Sequence, residues 1–246
     1  MAKDEPRFLL VSTRLEKFME EHELGCLVRA GELSKEDFRV FNATSEPITP
    51  DLSEKYEAVF IGGTGDFSVA QDRPEWFDKL AEWTRTLLEK NVPTLGLCYG
   101  FHLMAHAVGG EVKTRPDLEE TGTFEVRLTR AGESDRLLKC LPQRFLAQQG
   151  HHDVVLSMPG DWIRLADSER CHWQAFKHPE KPFYGLQFHP ELRREDFMDR
   201  MRAYADSYAS TPEVFEEINK QVQQTHNEEV IRSFLRLVEE SQKQGA

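Results

Sequence analysis

Cys98 lies between two glycines, in the segment Gly96-Leu97-Cys98-Tyr99-Gly100 that follows the apolar run 92–95. The glycines let the backbone turn sharply from a strand into a helix and lift the cysteine off the end of a sheet. The N-terminus of the helix predicted over 101–108 favours the thiolate, which is the form that attacks a carbonyl carbon. The same pentapeptide also fits a tight packing turn around a small buried thiol. A catalytic interpretation therefore needs a base elsewhere in the chain.

A candidate base and a carboxylate occur together at the end of another predicted strand, where His189 and Glu191 flank Pro190. Two residues apart on an extended backbone, their side chains lie on the same side. Pro190 fixes its own φ and biases His189 to an extended conformation, which holds the pair in place. A carboxylate beside an imidazole sets its tautomer and stabilises the imidazolium that forms when the ring takes a proton. A turn with a solvated glutamate is the alternative, and the presence of Cys98 favours the pair as base and orienting group.

The composition limits the classes of function. The 246 residues suffice for one sizeable core, and they are 39% hydrophobic and 30% charged. With 31 Lys and Arg against 43 Asp and Glu, the formal net charge is -12, which disfavours nucleic acid and anionic lipid as partners. No apolar run reaches the length of a membrane span, and the first residues lack the apolar core of a secretory signal. We therefore predict a cytoplasmic protein with no membrane role.

The four cysteines show no metal-ligand spacing. Cys26, Cys98, Cys140 and Cys171 form no CxxC pair and no ligand-like pattern with the histidines. We expect reduced thiols, of which Cys26, Cys140 and Cys171 are small core or near-surface residues and Cys98 alone has a catalytic setting. No metal and no other cofactor is predicted.

Short apolar strands alternate with helices over the first half of the chain. This alternation predicts a parallel sheet covered on both faces, with ligands bound beyond the carboxyl ends of its strands, where Gly62, Gly63 and Cys98 fall. From Glu111 onward the pattern predicts strands that extend the same sheet with antiparallel or edge pairing, and a brief helix over 135–140. The predicted strands are 7–12, 38–42, 58–61, 92–97, 123–129, 144–149, 163–167, 173–177 and 183–188, and the earlier helices are 15–22, 73–90 and 101–108.

Beyond Arg194 the sequence becomes helical and strongly polar. Pro212 interrupts this region, and residues 213–244 carry apolar side chains at helical spacing. Such a face packs either against the chain's own domain or against a second molecule, and the second case would give a homo-oligomer through the C-terminal helices. We divide the chain into a domain over 1–205 and a C-terminal helical extension over 206–246.

With these motifs in this order, the chain resembles the class I glutamine amidotransferases, the Cys-His-Glu family, as a free-standing domain similar to the amidotransferase half of GMP synthase. The similarity covers about residues 8–197. It implies a flavodoxin-like α/β three-layer sandwich with a mainly parallel central sheet, added antiparallel strands and the C-terminal helical extension. The motifs are Ile61-Gly62-Gly63, the elbow 96–100, Leu103-Met104-Ala105 continuing to Gly109-Gly110-Glu111-Val112, His151-His152-Asp153-Val154, Gln174-Ala175-Phe176 and the segment 185–191.

The resemblance also implies a role for individual residues. Cys98 attacks the side-chain amide carbon of glutamine, His189 shuttles protons and Glu191 orients His189. Ammonia leaves, and water then cleaves the γ-glutamyl thioester. The backbone N–H groups of Gly63 and Tyr99 are the implied oxyanion donors. The residues implied to lie on the substrate side are Gly62, His102, His151, His152 and Asp153, and for the two histidines of the 151–153 block a structural role fits equally well.

Two departures from the family pattern leave the substrate open. His102 stands where many members carry a glutamine that binds substrate, and the loop after Gly62-Gly63 lacks the proline that commonly follows. The residues beyond the similarity are too few for a synthase domain, so we expect any ammonia acceptor on a separate subunit.

Four functions fit this pattern. The first is glutamine hydrolysis with ammonia passed to a separate synthase subunit. The second is a γ-glutamyl peptidase or hydrolase that acts on γ-glutamyl peptides or conjugates without a partner. The third is a non-catalytic regulatory protein on the same scaffold, which the joint presence of Cys98, His189 and Glu191 disfavours. The fourth is a cysteine hydrolase of the same sandwich class with an unrelated substrate.

Overall fold

The computed structural model describes residues 5–205 and 211–245. No helix in these two ranges combines the length and the apolar character that crossing a bilayer requires. The strands are β1 (Phe8–Ser12), β2 (Phe38–Asn42), β3 (Ala58–Ile61), β4 (Thr94–Leu97), β5 (Glu111–Thr114), β6 (Glu120–Leu128), β7 (Arg144–His151), β8 (Asp153–Ser157), β9 (Ile163–Ser168), β10 (Ala175–Lys177) and β11 (Phe183–Leu186). The helices are α1 (Lys17–Gly31), α2 (Phe77–Glu89), α3 (Tyr99–Ala107), α4 (Arg130–Ser134), α5 (Arg194–Ala203), α6 (Pro212–Gln221) and α7 (Glu229–Gly245).

The central sheet has a parallel half and an antiparallel half. Its strand order is β2-β1-β3-β4-β11-β10-β9-β6-β7. The pairs from β2 to β11 are parallel, whereas β10, β9, β6 and β7 extend the sheet through antiparallel pairs. β5 and β8 form a separate antiparallel ribbon. The predicted α/β sheet with parallel strands and added antiparallel strands is confirmed.

Helices cover both faces of the sheet, because alternate residues of each buried strand point to opposite sides. Leu10 and Phe60 lie in a core shared with α1 and α7, where the ring of Phe234 packs edge-on against Phe60 at a centroid distance of 5.3 Å. Leu9 and Val59 lie in a second core shared with α2 and α3. The two cores and the sheet between them form the predicted three-layer sandwich.

The C-terminal helices pack against the same domain. α7 buries Phe234 and Val238 in the core that also holds α1. Pro212 lies in the first turn of α6, whose N-terminus is capped by the Thr211 side chain, so this proline begins a helix. Docking within the chain accounts for the apolar spacing of this region, while a homo-oligomer through these helices remains a prediction. Residues 206–210, where the predicted extension begins, lie outside the described residues.

The structure corrects three details of the predicted elements. The brief helix lies at Arg130–Ser134 instead of 135–140, because Thr129 caps it by accepting from the N–H of Gly132. The first helix starts two residues later than predicted and continues to Gly31, where Glu32 takes a left-handed φ of 55° and ends it. β5 and β8 escaped prediction because β5 is short and polar and β8 lies within the histidine motif.

Candidate active site

Cys98 lies at the sharp turn between β4 and α3. Its φ of 50° and ψ of -97° fall in a region that non-glycine residues rarely adopt, so the backbone is strained here. The Cys98 N–H donates to Leu186 O at 2.8 Å, and the Gly100 N–H donates to Gly62 O at 3.1 Å. A Cβ on Gly100 would lie 2.2 Å from Ile61 O, so glycine is needed for α3 to start this close to β3. The elbow inferred from the flanking glycines is the geometry observed.

His189 and Glu191 lie directly beyond β11 and form a buried pair. Nδ1 of His189 lies 2.8 Å from Oε1 of Glu191, and the His189 N–H donates to Gln148 O at 3.0 Å. Although burial opposes ionisation of Glu191, the neighbouring His189 and Arg200 lower the pKa of this carboxyl to about 2. An ionised carboxylate only accepts hydrogen bonds, so Nδ1 carries the ring proton and Nε2 is the basic nitrogen. Burial lowers the pKa of His189, which keeps the ring neutral at rest.

The Cys98 thiol is protonated at rest. The residue is 5% exposed, and burial raises the pKa of its thiol to about 12 although two nearby arginines oppose the shift. The S–H donates to Gly150 O, with Sγ 3.6 Å from that oxygen. Burial thus outweighs the effect expected from the N-terminus of α3. The thiolate therefore forms when a base takes the proton.

The loop after β3 brings two glycines against the catalytic side chains. From the position that a Cβ on Gly63 would take, His189 Cε1 lies 3.1 Å away and Cys98 Cβ 3.6 Å away. The Gly63 N–H donates to Oε1 of Glu23 at 2.8 Å, so a protein carboxylate engages this implied oxyanion donor. The Tyr99 N–H, the other implied donor, belongs to the first turn of α3, where N–H groups have no intrahelical acceptor.

Gly62, by contrast, serves the scaffold through both of its backbone polar groups. Its N–H donates to Val11 O at 2.9 Å, and its carbonyl accepts from the first turn of α3. A Cβ on Gly62 would lie 2.5 Å from Oε2 of Glu23. The structure therefore places Gly62 where it makes room for Glu23, and its implied substrate contact finds no support in this geometry.

A cavity of about 220 Å³ opens beside Cys98 and contains the other predicted substrate-side residues. His102 is 3% exposed on its wall, and its Nε2 lies 2.6 Å from Oε1 of Gln187. Burial, with a further contribution from the neighbouring His151, lowers the pKa of His102 well below its ordinary value, so the ring is neutral at pH 7. The cavity is lined by residues 64–68, Asp72, Cys98, Tyr99, His102 and residues 150–153.

Three polar side chains follow one another where β7 ends and β8 begins. His151 is 3% exposed, with Nδ1 3.0 Å from Asp153 O and Nε2 3.1 Å from Oε2 of Glu120. The carboxylate of Asp153 accepts hydrogen bonds from two hydroxyl groups of the fold. His152 is partly exposed and pairs with Glu119 at 2.8 Å. The structure thus brings all three to the cavity wall while engaging their polar atoms within the protein.

Two groups of side chains have ligand atoms within 4.8 Å of one another, close enough for metal binding. In the buried group, the carboxylate of Glu120 already accepts from His151, Ser168 and Gln174. In the other group, Asp196 is bonded to Arg29. Protein donors thus satisfy the carboxylates of both groups, and the absence of a metal remains a prediction. The groups are Glu120, His151 and Cys171, and His22, Cys26 and Asp196.

Four buried residues next to His189 were missed by sequence analysis: Arg14, Glu23, Arg200 and Tyr204. Arg14 follows the carboxyl end of β1, where ligand-binding residues of parallel sheets collect, and that position was the available signal. Arg200 and Tyr204 lie four residues apart at the end of α5, a spacing that places them on one face. Glu23 gives no signal, since a glutamate in a polar helix is ordinarily solvated.

Comparison with known proteins gives relatives over much of the chain. The glutamine-hydrolyzing subunit of GMP synthase from Methanopyrus kandleri is 32% identical over 154 residues, which are 63% of this chain and 75% of that protein. The corresponding GMP synthase subunit from Pyrococcus abyssi is 39% identical over 118 residues, which are 48% of this chain and 61% of that protein, less than two thirds of its length.

Solved structures show the same fold. A glutamine amidotransferase from Thermotoga maritima superposes with a TM-score of 0.72 at 24% identity, over 96% of this chain and 99% of that chain. A glutamine amidotransferase from Methylobacillus flagellatus gives 0.69 at 16% identity, over 96% and 93%. The family model "Glutamine amidotransferase class-I" matches residues 26–203, which include the Cys98 elbow and the His189–Glu191 pair. The chain therefore belongs to the class I glutamine amidotransferase family.

Proposed function

We propose that this chain hydrolyses the side-chain amide of glutamine through a γ-glutamyl thioester on Cys98 and passes the ammonia to a separate synthase subunit. The observation that carries the proposal is the strained Cys98 elbow beside a buried His189–Glu191 pair. The similar GMP synthase proteins support it, because they are named as glutamine-hydrolyzing and as one subunit of an enzyme.

In the first half of the reaction, Nε2 of His189 takes the thiol proton as Sγ of Cys98 attacks the amide carbon. A C–S bond forms, and the carbonyl oxygen becomes an oxyanion to which the Tyr99 N–H donates. Glu191 stabilises the imidazolium. The imidazolium then gives its proton to the departing nitrogen, the C–N bond breaks, and ammonia leaves a γ-glutamyl thioester.

In the second half, water attacks the thioester carbon. His189 takes a proton from this water and returns it to the sulfur as the C–S bond breaks. Glutamate leaves, and the thiol of Cys98 returns to its bond with Gly150 O. Each proton passes through Nε2, because Nδ1 stays bonded to Glu191.

The proposal is tested by Cys98→Ala, assayed for ammonia and glutamate separately. We expect Cys98→Ala to lose turnover, and acid-quenched wild type to carry the mass of a γ-glutamyl group on Cys98. Cys140→Ser is the matched control, since Cys140 is an exposed thiol outside the cavity, and it should keep wild-type turnover. Glutamine hydrolysis by Cys98→Ala, or turnover without a labelled Cys98, would contradict the proposal.

A second candidate function is hydrolysis of γ-glutamyl peptides or conjugates. The observation that favours it is the neutral His102 ring on the cavity wall, at the position where many family members carry a substrate-binding glutamine. A panel of γ-glutamyl peptides run beside glutamine separates the two functions. Peptide cleavage without ammonia release from glutamine would replace the first function with the second.

A further inference from the structure

A buried network of charges lies behind the catalytic pair. The guanidinium of Arg14 binds Glu23 through two contacts, Nε to Oε2 at 3.2 Å and Nη2 to Oε1 at 3.1 Å. Its Nη1 donates to the Tyr204 hydroxyl at 3.0 Å, which in turn donates to Asp66 at 3.1 Å. Arg14 and Glu23 have side chains only 2% and 1% exposed. Buried charges of this kind are costly unless paired, so the pairing fixes the positions of α1, α5 and the loop after β3 relative to one another.

Arg200 extends this network to the reaction centre. Its Nη2 lies 3.3 Å from Oε1 of Glu191 and 3.8 Å from Oε1 of Glu23. Its Nη1 lies 3.2 Å from Nδ1 of His189. Because Nδ1 carries a proton that Glu191 accepts, the guanidinium faces an N–H and opposes a second positive charge on the ring. With Arg14, the four charged side chains form a balanced set of two cations and two anions.

We propose that Arg200 is a positioning residue for the proposed reaction: held between Glu23 and Glu191, its guanidinium keeps the His189 ring neutral and bonded to Glu191 through Nδ1, so that Nε2 accepts the Cys98 proton. This inference rests on the proposed function only for its substrate. The burial of Arg200, at 7% exposure, and its direct contacts with both members of the pair carry the argument. A nearby cation also lowers the pKa of His189 in the direction that this role requires.

The ionisable groups around His189 come from four parts of the fold. A cation or anion removed from any of them would change the protonation of the ring, so each must be held constant while Arg200 is varied. They are Glu191 in its own loop, Arg200 in α5, Arg14 and Glu23 from the β1–α1 region, and Cys98 at the start of α3.

The test compares Arg200→Gln, Arg200→Lys and Arg202→Gln. Arg202 is an exposed arginine of the same helix, paired with Asp199, and serves as the matched control. Loss of the cation should raise the pKa of His189, so the acid limb of kcat/KM should move to higher pH by about one unit in Arg200→Gln, with about tenfold lower activity on that limb. Arg200→Lys should restore most of the wild-type limb, and Arg202→Gln should superimpose on wild type.

Alkylation of Cys98 by iodoacetamide as a function of pH gives a second readout that needs no substrate. The same upward shift in Arg200→Gln supports the role of Arg200 even if glutamine proves not to be the substrate. An acid limb identical to wild type in both assays would overturn the inference, as would a uniform loss of activity with no shift. If Arg200→Gln does not fold, the double variant Glu23→Gln/Arg200→Gln removes one anion with one cation and must show the same shift.

Discussion

His189–Glu191 and His151–Glu120 are two buried histidine–carboxylate pairs in one molecule, and only the first is arranged for proton transfer. The ring-to-carboxylate distances are close, 2.8 Å and 3.1 Å. In the first pair Nδ1 faces the carboxylate and Nε2 is left to act as a base. In the second, both ring nitrogens face acceptors, Asp153 O and Glu120. The atoms that occupy the second nitrogen, more than the pair itself, decide whether a buried histidine can be a base.

Substituting the two histidines should give the largest contrast. His189→Gln removes the base, so we expect the rate of ammonia release to fall by about 10²–10⁴-fold. His151→Gln removes hydrogen bonds of the fold, and we expect a lower melting temperature with activity within about tenfold of wild type. Steady-state turnover and thermal melting measured on both variants check this. Equal catalytic losses in two folded variants would show that the second pair also takes part in the reaction.

The two carboxylates should differ in the same sense. Glu191→Gln leaves an amide that can donate to the ring and favour the wrong tautomer, so we expect a loss of about 10³-fold or more in kcat. Glu120→Gln should instead lower the free energy of unfolding by about 1–3 kcal/mol, because hydrogen bonds from His151, Ser168 and Gln174 depend on that carboxylate. Urea unfolding and kcat distinguish these effects. The comparison breaks if Glu120→Gln is stable but inactive.

His102 lies beside the second pair, with ring centroids 6.3 Å from His151, and its effect should appear in the pH dependence of stability. Because its pKa is lowered in the folded state, the unfolded chain binds more protons below about pH 6.5, and stability should fall as the pH falls through that value. His102→Gln should reduce this loss by about 1 kcal/mol between pH 6.5 and 5.5. Unfolding in urea at the two pH values measures it, and an unchanged slope would assign the loss to other groups such as His189.

The smallest effect is expected at His152, which is 38% exposed and paired with Glu119. Exposed pairs of this kind contribute little, so His152→Gln should change the free energy of unfolding by less than about 1 kcal/mol. Its value is as a test of the implied substrate contact. A raised KM with unchanged kcat would place this side chain against the substrate, whereas unchanged kinetics would leave it as a surface residue.

The catalytic residues could be predicted from the sequence because each is marked by its immediate neighbours. Glycines on both sides identify Cys98, and Pro190 holds His189 and Glu191 at fixed spacing. The alternation of strands and helices likewise predicted the layers of the sandwich. The contacts of Arg14, Glu23 and Arg200 could not be predicted, since they join residues from 9 to 177 positions apart and depend on how α1 and α5 pack.

Local patterns also failed where hydrogen bonds, and not burial, determine an element. The Thr129 cap moved the brief helix forward, and the polar strand Glu111–Thr114 is held by its pairing with β8. The engagement of the Gly63 N–H by Glu23 belongs to the same class. A motif indicates that a backbone group is close to the reaction centre, but only the packed structure shows what that group is bonded to.

The hydrogen bond from the Cys98 thiol to Gly150 O has a consequence for the durability of the protein. Peroxides and adventitious electrophiles react with thiolates, and a buried thiol whose pKa is raised to about 12 supplies very few of them at neutral pH. The nucleophile is thus kept in a chemically inert form between turnovers and becomes reactive only when His189 takes its proton. The arrangement limits oxidative loss of a residue that the chain cannot replace.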